Sequence, residues 1–302
     1  MPLDHMTQKT QQVFLAGKDQ RTLWVQQDHW INYPTAAKAL NQMEKLLTSP
    51  ARTRMQNLLI FGESNNGKTA ILNQFCKEHP IDENPEGDHI LCPVFKIEAP
   101  PEASIQAFYT TILDLLCVPF RYNDRIEKKA HQVETVLRQI GVKVLIIDEV
   151  HNMLAGTALK QQQFRNVLKY LSNTLQISIV AAGTNDALNA LSADKQIRSR
   201  FMPFKLNHWT LNKDYLRLLY TLESRLPLAE PTRLVDHKTL YMHLFERSEQ
   251  VIGEIIELVR EATLIAIEED APKLTLDIFR KVDRLSPSSR RQLYRERPRE
   301  TF

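Results

Sequence analysis

The residues best suited to chemistry lie between Asn57 and Leu72. An apolar run, Leu58 to Phe61, stops at Gly62, and a helical apolar pattern resumes after Thr69. The junction reads Gly62-Glu63-Ser64-Asn65-Asn66-Gly67-Lys68-Thr69-Ala70 and contains the spacing Gly-x-x-x-x-Gly-Lys-Thr. In a strand–loop–helix context this spacing is a phosphate-binding loop. Its glycines let backbone N–H groups wrap a phosphate, and the start of the following helix adds a favourable dipole. Lys68 would reach the β- and γ-phosphates of ATP, and the Thr69 hydroxyl would bind Mg²⁺. The chain has only 8 glycines, so a chance match is a poor explanation.

A second set of groups lies downstream. Val142 to Val150 reads Val-Lys-Val-Leu-Ile-Ile-Asp-Glu-Val, an apolar core ending in two carboxylates. A buried parallel strand delivers such side chains at its C-terminal edge. Asp148 would hold the Mg²⁺ water shell, and Glu149 would act as general base on the attacking water. Ile177 to Ala182 forms another apolar run, followed by Gly183-Thr184-Asn185. Thr184 and Asn185 would contact the γ-phosphate or its water; they would serve equally well to cap the helix Asp186 to Leu191. Arg198 and Arg200 follow in Gln196-Ile-Arg-Ser-Arg-Phe201. They lie too far along the sheet edge for their own phosphate and suit a neighbour's, with Arg200 ahead of Arg198 as an arginine finger in trans. The competing role for both is a surface salt bridge.

The elements that must position these groups follow from periodicity. Residues 1–28 form a polar arm, helical or loosely held. Trp30, Ile31 and Tyr33 precede a helix with apolar positions Ala37, Leu40, Met43 and Leu47. Trp30, Ile31 and Tyr33 would wall an adenine pocket or act as a hydrophobic staple. Cys92 to Ile97 reads as a strand and Ser104 to Leu116 as an amphipathic helix. This places an extra strand and two helices between the phosphate loop and Asp148. Residues 29–228 then make an α/β nucleotide-binding core with a parallel sheet. Residues 229–285 make an all-helical lid, in which Ser248 and Thr275 would cap helices. A basic tail, 286–302, ends the chain.

Composition is that of an ordinary globular chain, 43% hydrophobic and 25% charged, with no run long enough to cross a membrane. Three cysteines without a Cys-x-x-Cys suggest buried thiols in a reducing cytoplasm. Net charge is +3, and the tail carries all of it: Arg290, Arg291, Arg295, Arg297 and Arg299 stand against Glu296 and Glu300. Such a tail touches nucleic acid or merely solvates the end of the chain. A second basic stretch, Arg121, Arg125, Lys128 and Lys129, would bind the DNA backbone without reading sequence.

The motif series resembles AAA+ ATPases and, more narrowly, the TniB family of transposition ATPases, relatives of the TnsC regulators. The carrying residues are Trp30 to Pro34, the phosphate loop, and Leu145-Ile-Ile-Asp-Glu-Val-His-Asn-Met-Leu-Ala-Gly156. Gly183-Thr184, Arg200-Phe201, Ser248 to Glu254 and Ser286 to Arg291 complete the set. The resemblance implies a P-loop AAA+ fold with a small C-terminal helical lid, and places Gly253, at a lid helix start, beside the nucleotide. It departs from many AAA+ lids in having Ile256, not arginine, three residues after Gly253, with Arg260 one turn later. It implies a bacterial cytoplasmic, nucleoid-associated protein that assembles as a ring or helical filament on double-stranded DNA. Its partners would be a TniQ-like target-selection protein and a DDE transposase, and ATP hydrolysis would dismantle the assembly. A helicase loader or replication initiator, and a scaffold that binds ATP without hydrolysis, are the competing readings.

Overall fold

Residues 3–296 are described by the computed structural model. The first half runs α1 (Gln8–Leu15), α2 (Lys18–Gln26), α3 (Pro34–Leu47), β1 (Asn57–Phe61), α4 (Lys68–Glu78), β2 (Val94–Glu98), α5 (Ile105–Leu115), α6 (Ile126–Gln139) and β3 (Val144–Asp148). Then come α7 (His151–Leu154), α8 (Ala158–Leu175), β4 (Ser178–Gly183), α9 (Asn185–Ser192), α10 (Lys195–Arg198), β5 (Phe201–Lys205), α11 (Lys213–Glu223), α12 (Lys238–Arg247), α13 (Ile252–Glu268), α14 (Leu276–Lys281) and α15 (Pro287–Glu296).

The five strands form one parallel sheet in the order β2-β3-β4-β1-β5. β1, β3 and β4 are buried at every residue, as their continuous apolar runs require of strands covered on both faces. Phe108, Phe164, Leu168 and Val133 supply much of that cover, from α5, α8 and α6. β2, α5 and α6 separate α4 from β3, so the spacing between the two motifs has the topological meaning expected. β4 lies between β1 and β3 and brings Gly183 against the start of the phosphate loop. Strand β5 has no counterpart in the sequence reading. Three of its five residues are exposed and it contains Pro203, which only an edge position tolerates.

The chain divides into two compact units, and their limits differ from the expected ones. One unit is Thr35–Asn207; the other joins the segment before it to the helices after it. Helices α1 and α2 are therefore not a loose arm. The Trp24 indole donates to the Arg225 carbonyl at 3.0 Å, the Thr7 amide donates to the Ser224 carbonyl at 2.9 Å, and Trp24 and Val25 are buried with Tyr215, Leu218 and Val259. The apolar surface of α2 is small, but α13 covers it, and α1 packs on α2. For the same reason α11, expected in the α/β core, belongs with the helical unit.

Two smaller expectations also change. Thr275 caps α14 through the Ile278 amide at 3.4 Å, but Ser248 ends α12 and does not cap α13, whose N-cap is Val251. Cys92 is buried and Cys76 half-buried, whereas Cys117 is exposed. The tail helix α15 docks on its own unit: Arg290 pairs with Glu254 at 2.6 Å and Arg291 with Glu249 at 3.0 Å. Those two arginines are already partly neutralised. Arg297 and Arg299 lie outside the described residues.

Candidate functional site

The phosphate loop joins β1 to α4, and its shape depends on two left-handed residues, Asn65 (φ 62°) and Gly67 (φ 81°). Gly62 is required by proximity: a Cβ there would lie 2.7 Å from the Leu206 carbonyl oxygen. Glu63, Ser64, Asn65, Thr69 and Ala70 are exposed, as a loop meeting a ligand must be. Asn66 differs. Its side chain is buried and donates to the carbonyls of Leu206, at 2.9 Å, and Asn207, at 3.3 Å, so it clamps the loop to the segment after β5. Lys68 is 5% exposed and donates to the carbonyls of Gly62, at 3.1 Å, and Glu63, at 2.8 Å. Burial pushes its ammonium below the ordinary lysine range, against the opposing pull of Glu149, Asp148 and Glu63.

Asp148 ends β3 with its carboxylate buried. One oxygen accepts the Glu149 amide at 3.0 Å, and the other pairs with Lys96 at 3.2 Å. Lys96 also donates to Asn73 of α4 at 2.6 Å, so it links the helix after the phosphate loop to the end of β3. Sequence reasoning missed Lys96. Its only trace is a cation at an inward-alternating position of Val94-Phe-Lys-Ile-Glu98. Glu149 adopts φ 51°, a conformation that costs a non-glycine residue about 1 kcal/mol or more. Its carboxylate lies 3.0 Å from His151 Nδ1. A hydroxyl at Thr69 and one carboxylate at Asp148 fit a Mg²⁺ ion, which keeps waters and phosphate oxygens among its ligands. Among the described residues no cluster of His, Cys, Asp or Glu would hold a metal unaided.

Thr184 occupies the N-cap position of α9, yet its side chain makes no capping bond. Its hydroxyl is buried without a partner, beside Gly183, whose amide-flanking position is packed within 3.2 Å of Val150 for any added Cβ. An orphan hydroxyl at this strand end fits the phosphate-or-water role better than the capping role. Asn185 is exposed at the first turn of α9.

Arg200 precedes β5 at the opposite end of the sheet. Register pairs Asn57 with Phe201 and Phe61 with Lys205, so Arg200 marks the N-terminal rim and Gly62 the C-terminal one. Five residues of strand separate the rims by roughly 15 Å, beyond an arginine's reach around the sheet. Arg200 donates to Asn173 at 2.6 Å, while its Nε is buried without a partner. Arg198 is exposed. Neither forms an ion pair among the described residues, so the surface salt-bridge alternative finds no support.

Ile31, Tyr33 and Gly253 lie in the helical unit. Tyr33 lines a cleft of about 700 Å³ with Leu216, Arg217 and Thr221, and burial pushes its phenol up to about 12. Ile31 lines a different, narrow cleft with Trp24 and Val259. Ile31 and Tyr33, both expected to wall one adenine pocket, therefore line separate clefts. Gly253 sits in the first turn of α13. Arg260, one turn beyond Ile256, is engaged by Asp28 and Glu257, each at 2.7 Å.

The basic stretch does not act as one surface. Lys129 is fully buried; its ammonium donates to Thr110 at 3.0 Å and the Tyr122 carbonyl at 3.2 Å, and lies over the Phe120 ring. It is a core residue on the inner face of α6, not a DNA contact. Lys128 is exposed but paired with Asp124 at 2.8 Å. Arg121 and Arg125 remain exposed.

A parallel β2-β3-β4-β1-β5 sheet with a phosphate loop after β1, an Asp-Glu pair after β3 and a helical C-terminal portion defines an AAA+ P-loop ATPase fold. Solved structures share it. ORC1 of Aeropyrum pernix, in complex with DNA, superposes with a TM-score of 0.59 at 14% identity over 91% of this chain and 69% of that one. ORC2 of Aeropyrum pernix, in ADPNP–ADP complexes, gives a TM-score of 0.60 at 16% identity over 85% and 70%. Residues 21–211 match the family described as bacterial TniB protein, and the chain belongs to that family. Curated relatives include the ATP-dependent Clp protease ATP-binding subunit ClpL of Lactococcus lactis subsp. lactis, 24% identical over 67% of this chain and 26% of that protein. Chloroplastic chaperone protein ClpC2 of Arabidopsis thaliana is 24% identical over 73% and 22%. The chain spans about a quarter of the length of these relatives.

Proposed function

We propose that this chain is an ATP-dependent, DNA-binding regulator of transposition. It assembles on target DNA with ATP bound between protomers, links a TniQ-like target-selection protein to a DDE transposase, and is released by ATP hydrolysis. Membership of the TniB family supports the transposition role. The observation that carries the assembly is the separation of Arg200 from the phosphate loop along a single sheet. An arginine with a buried, unpartnered Nε at the far rim suits a neighbour's nucleotide.

In this reading the phosphate loop and Lys68 hold the triphosphate, and Thr69 and Asp148 would hold Mg²⁺, which would offset phosphate charge. Glu149 takes a proton from the attacking water, Thr184 orients that water, and Arg200 from the next protomer stabilises the transferring phosphoryl group. DNA is held through its phosphates, with Arg121 and Arg125 as the contacts that survive from the basic stretch. Few cations per protomer suffice, because an assembly repeats them along the duplex.

The test is complementation. Arg200→Ala should bind ATP but lose concentration-dependent hydrolysis. Mixing it with Glu149→Gln protein, which keeps Arg200, should restore turnover at the mixed interfaces. Normal hydrolysis by Arg200→Ala alone would overturn the assembly reading. Duplex binding should need ATP and fall by roughly 0.9 log units per log of salt for each phosphate contacted; salt-insensitive or ATP-independent binding would overturn the DNA reading.

A further inference from the structure

The rim that carries Arg200 holds more positive charge than one finger. Arg54, shortly before β1, donates through Nη2 to the Ser199 hydroxyl. Ser199 stands between Arg198 and Arg200 in sequence, so the segment that carries the proposed finger also holds a third arginine by hydrogen bond. Its position is fixed, because the Asn57 amide donates to the Arg200 carbonyl at 2.8 Å and the Asn57 side chain accepts the Ile179 amide at 2.8 Å. The start of β1 is thereby tied to both its neighbours.

No carboxylate balances this cluster among the described residues. The nearest acid in sequence, Asp194, is committed to the amides of Gln196 and Ile197 and to Lys169. A basic segment whose arginines form no ion pair attracts an external anion. Arg54 and Ser199 are both exposed, so their mutual hydrogen bond contributes little to folding.

We propose that Arg54 is a second trans-acting cation, meeting the terminal phosphates of the nucleotide held by the neighbouring protomer beside Arg200. This rests on the assembly reading above. Ser199 ties Arg54 to the short segment that carries Arg198 and Arg200, a local patch that suits a triphosphate better than a duplex. DNA spreads its charge at one per ~3.4 Å along each strand, which calls for a stripe of cations, whereas a triphosphate concentrates several charges on adjacent phosphorus atoms.

The experiment compares Arg54→Ala and Arg200→Ala in the full chain. Thermal unfolding and ATP affinity at protein concentrations too low for assembly should match the parent protein for both. ATP turnover at assembling concentrations should fall roughly 10- to 100-fold for Arg54→Ala, the scale of one charge-assisted hydrogen bond, and addition of Glu149→Gln protein should restore it. Arg54→Lys should recover part of the loss, because a point charge survives while the fork does not. Unchanged turnover in Arg54→Ala, or a loss that Glu149→Gln protein does not rescue while it rescues Arg200→Ala, overturns the role of Arg54 alone. A weaker salt slope for duplex binding with unchanged turnover reassigns the cluster to DNA and also overturns it. Full turnover by Arg200→Ala overturns the assembly reading itself, and this proposal with it.

Discussion

The Lys96 ammonium lies 3.2 Å from the Asp148 carboxylate, reaching diagonally from β2 to β3 on one face of the sheet. The carboxylate proposed to serve Mg²⁺ thus has a protein cation as its counter-charge. Lys96→Met should lower the thermal midpoint in EDTA, by an amount equivalent to about 1–3 kcal/mol. The deficit should shrink with ATP and Mg²⁺ present. Equal midpoints in both conditions would show that the pair is energetically neutral.

Lys68→Ala should abolish ATP binding without unfolding the protein. The ammonium bonds the Gly62 and Glu63 carbonyls of the loop, and the buried side chain lies outside the apolar cluster of the sheet. Calorimetric titration with ATP checks this; retained affinity in a folded variant would remove Lys68 from the site.

Glu149→Gln should bind ATP and slow hydrolysis by ~10²–10⁴-fold, the usual cost of a lost general base. Complexes with DNA should live correspondingly longer. The amide keeps the size and shape of the carboxylate, which lies 3.0 Å from His151 Nδ1, so the turn should persist. A variant with normal turnover would place the base elsewhere.

Lys129→Met should destabilise the α/β unit by about 2–4 kcal/mol, since Thr110 and the Tyr122 carbonyl lose a buried donor. Duplex affinity of the folded fraction should be unchanged. The double substitution Arg121→Ala with Arg125→Ala should do the reverse, flattening the salt dependence without a change in midpoint. Denaturant melts and filter binding at several salt concentrations separate the two.

Gly62→Ala should impair both stability and nucleotide binding, because its Cβ would meet the Leu206 carbonyl at 2.7 Å and neither backbone has room to move without shifting β5. Parent-like ATP affinity would mean that the loop relaxes more freely than this contact allows.

Local signals carried most of the nucleotide site. A phosphate loop is a contiguous segment, and its glycines and lysine act through their own backbone, so spacing alone identifies them. The buried central strands were legible for a related reason: a strand covered on both faces must be apolar at every position, as β1, β3 and β4 are. β5 was not legible, because an edge strand has only one neighbour and the proline inside Phe201-Met-Pro-Phe-Lys205 breaks the strand signal.

Charge on the basic stretch was visible in the sequence, but its fate was not. Lys128 and Lys129 are adjacent and chemically identical, yet the helical phase of α6 puts one in solvent and the other under Phe120. Likewise Lys96, Ser199 and Arg54 have no local motif, since their partners arrive from distant segments. The sequence by itself determined which residues can wrap a phosphate, because that chemistry is written in consecutive backbone. Only the tertiary structure decided which cations are spent on carboxylates and core oxygens and which remain for an external anion, because burial and pairing depend on neighbours brought together by the fold.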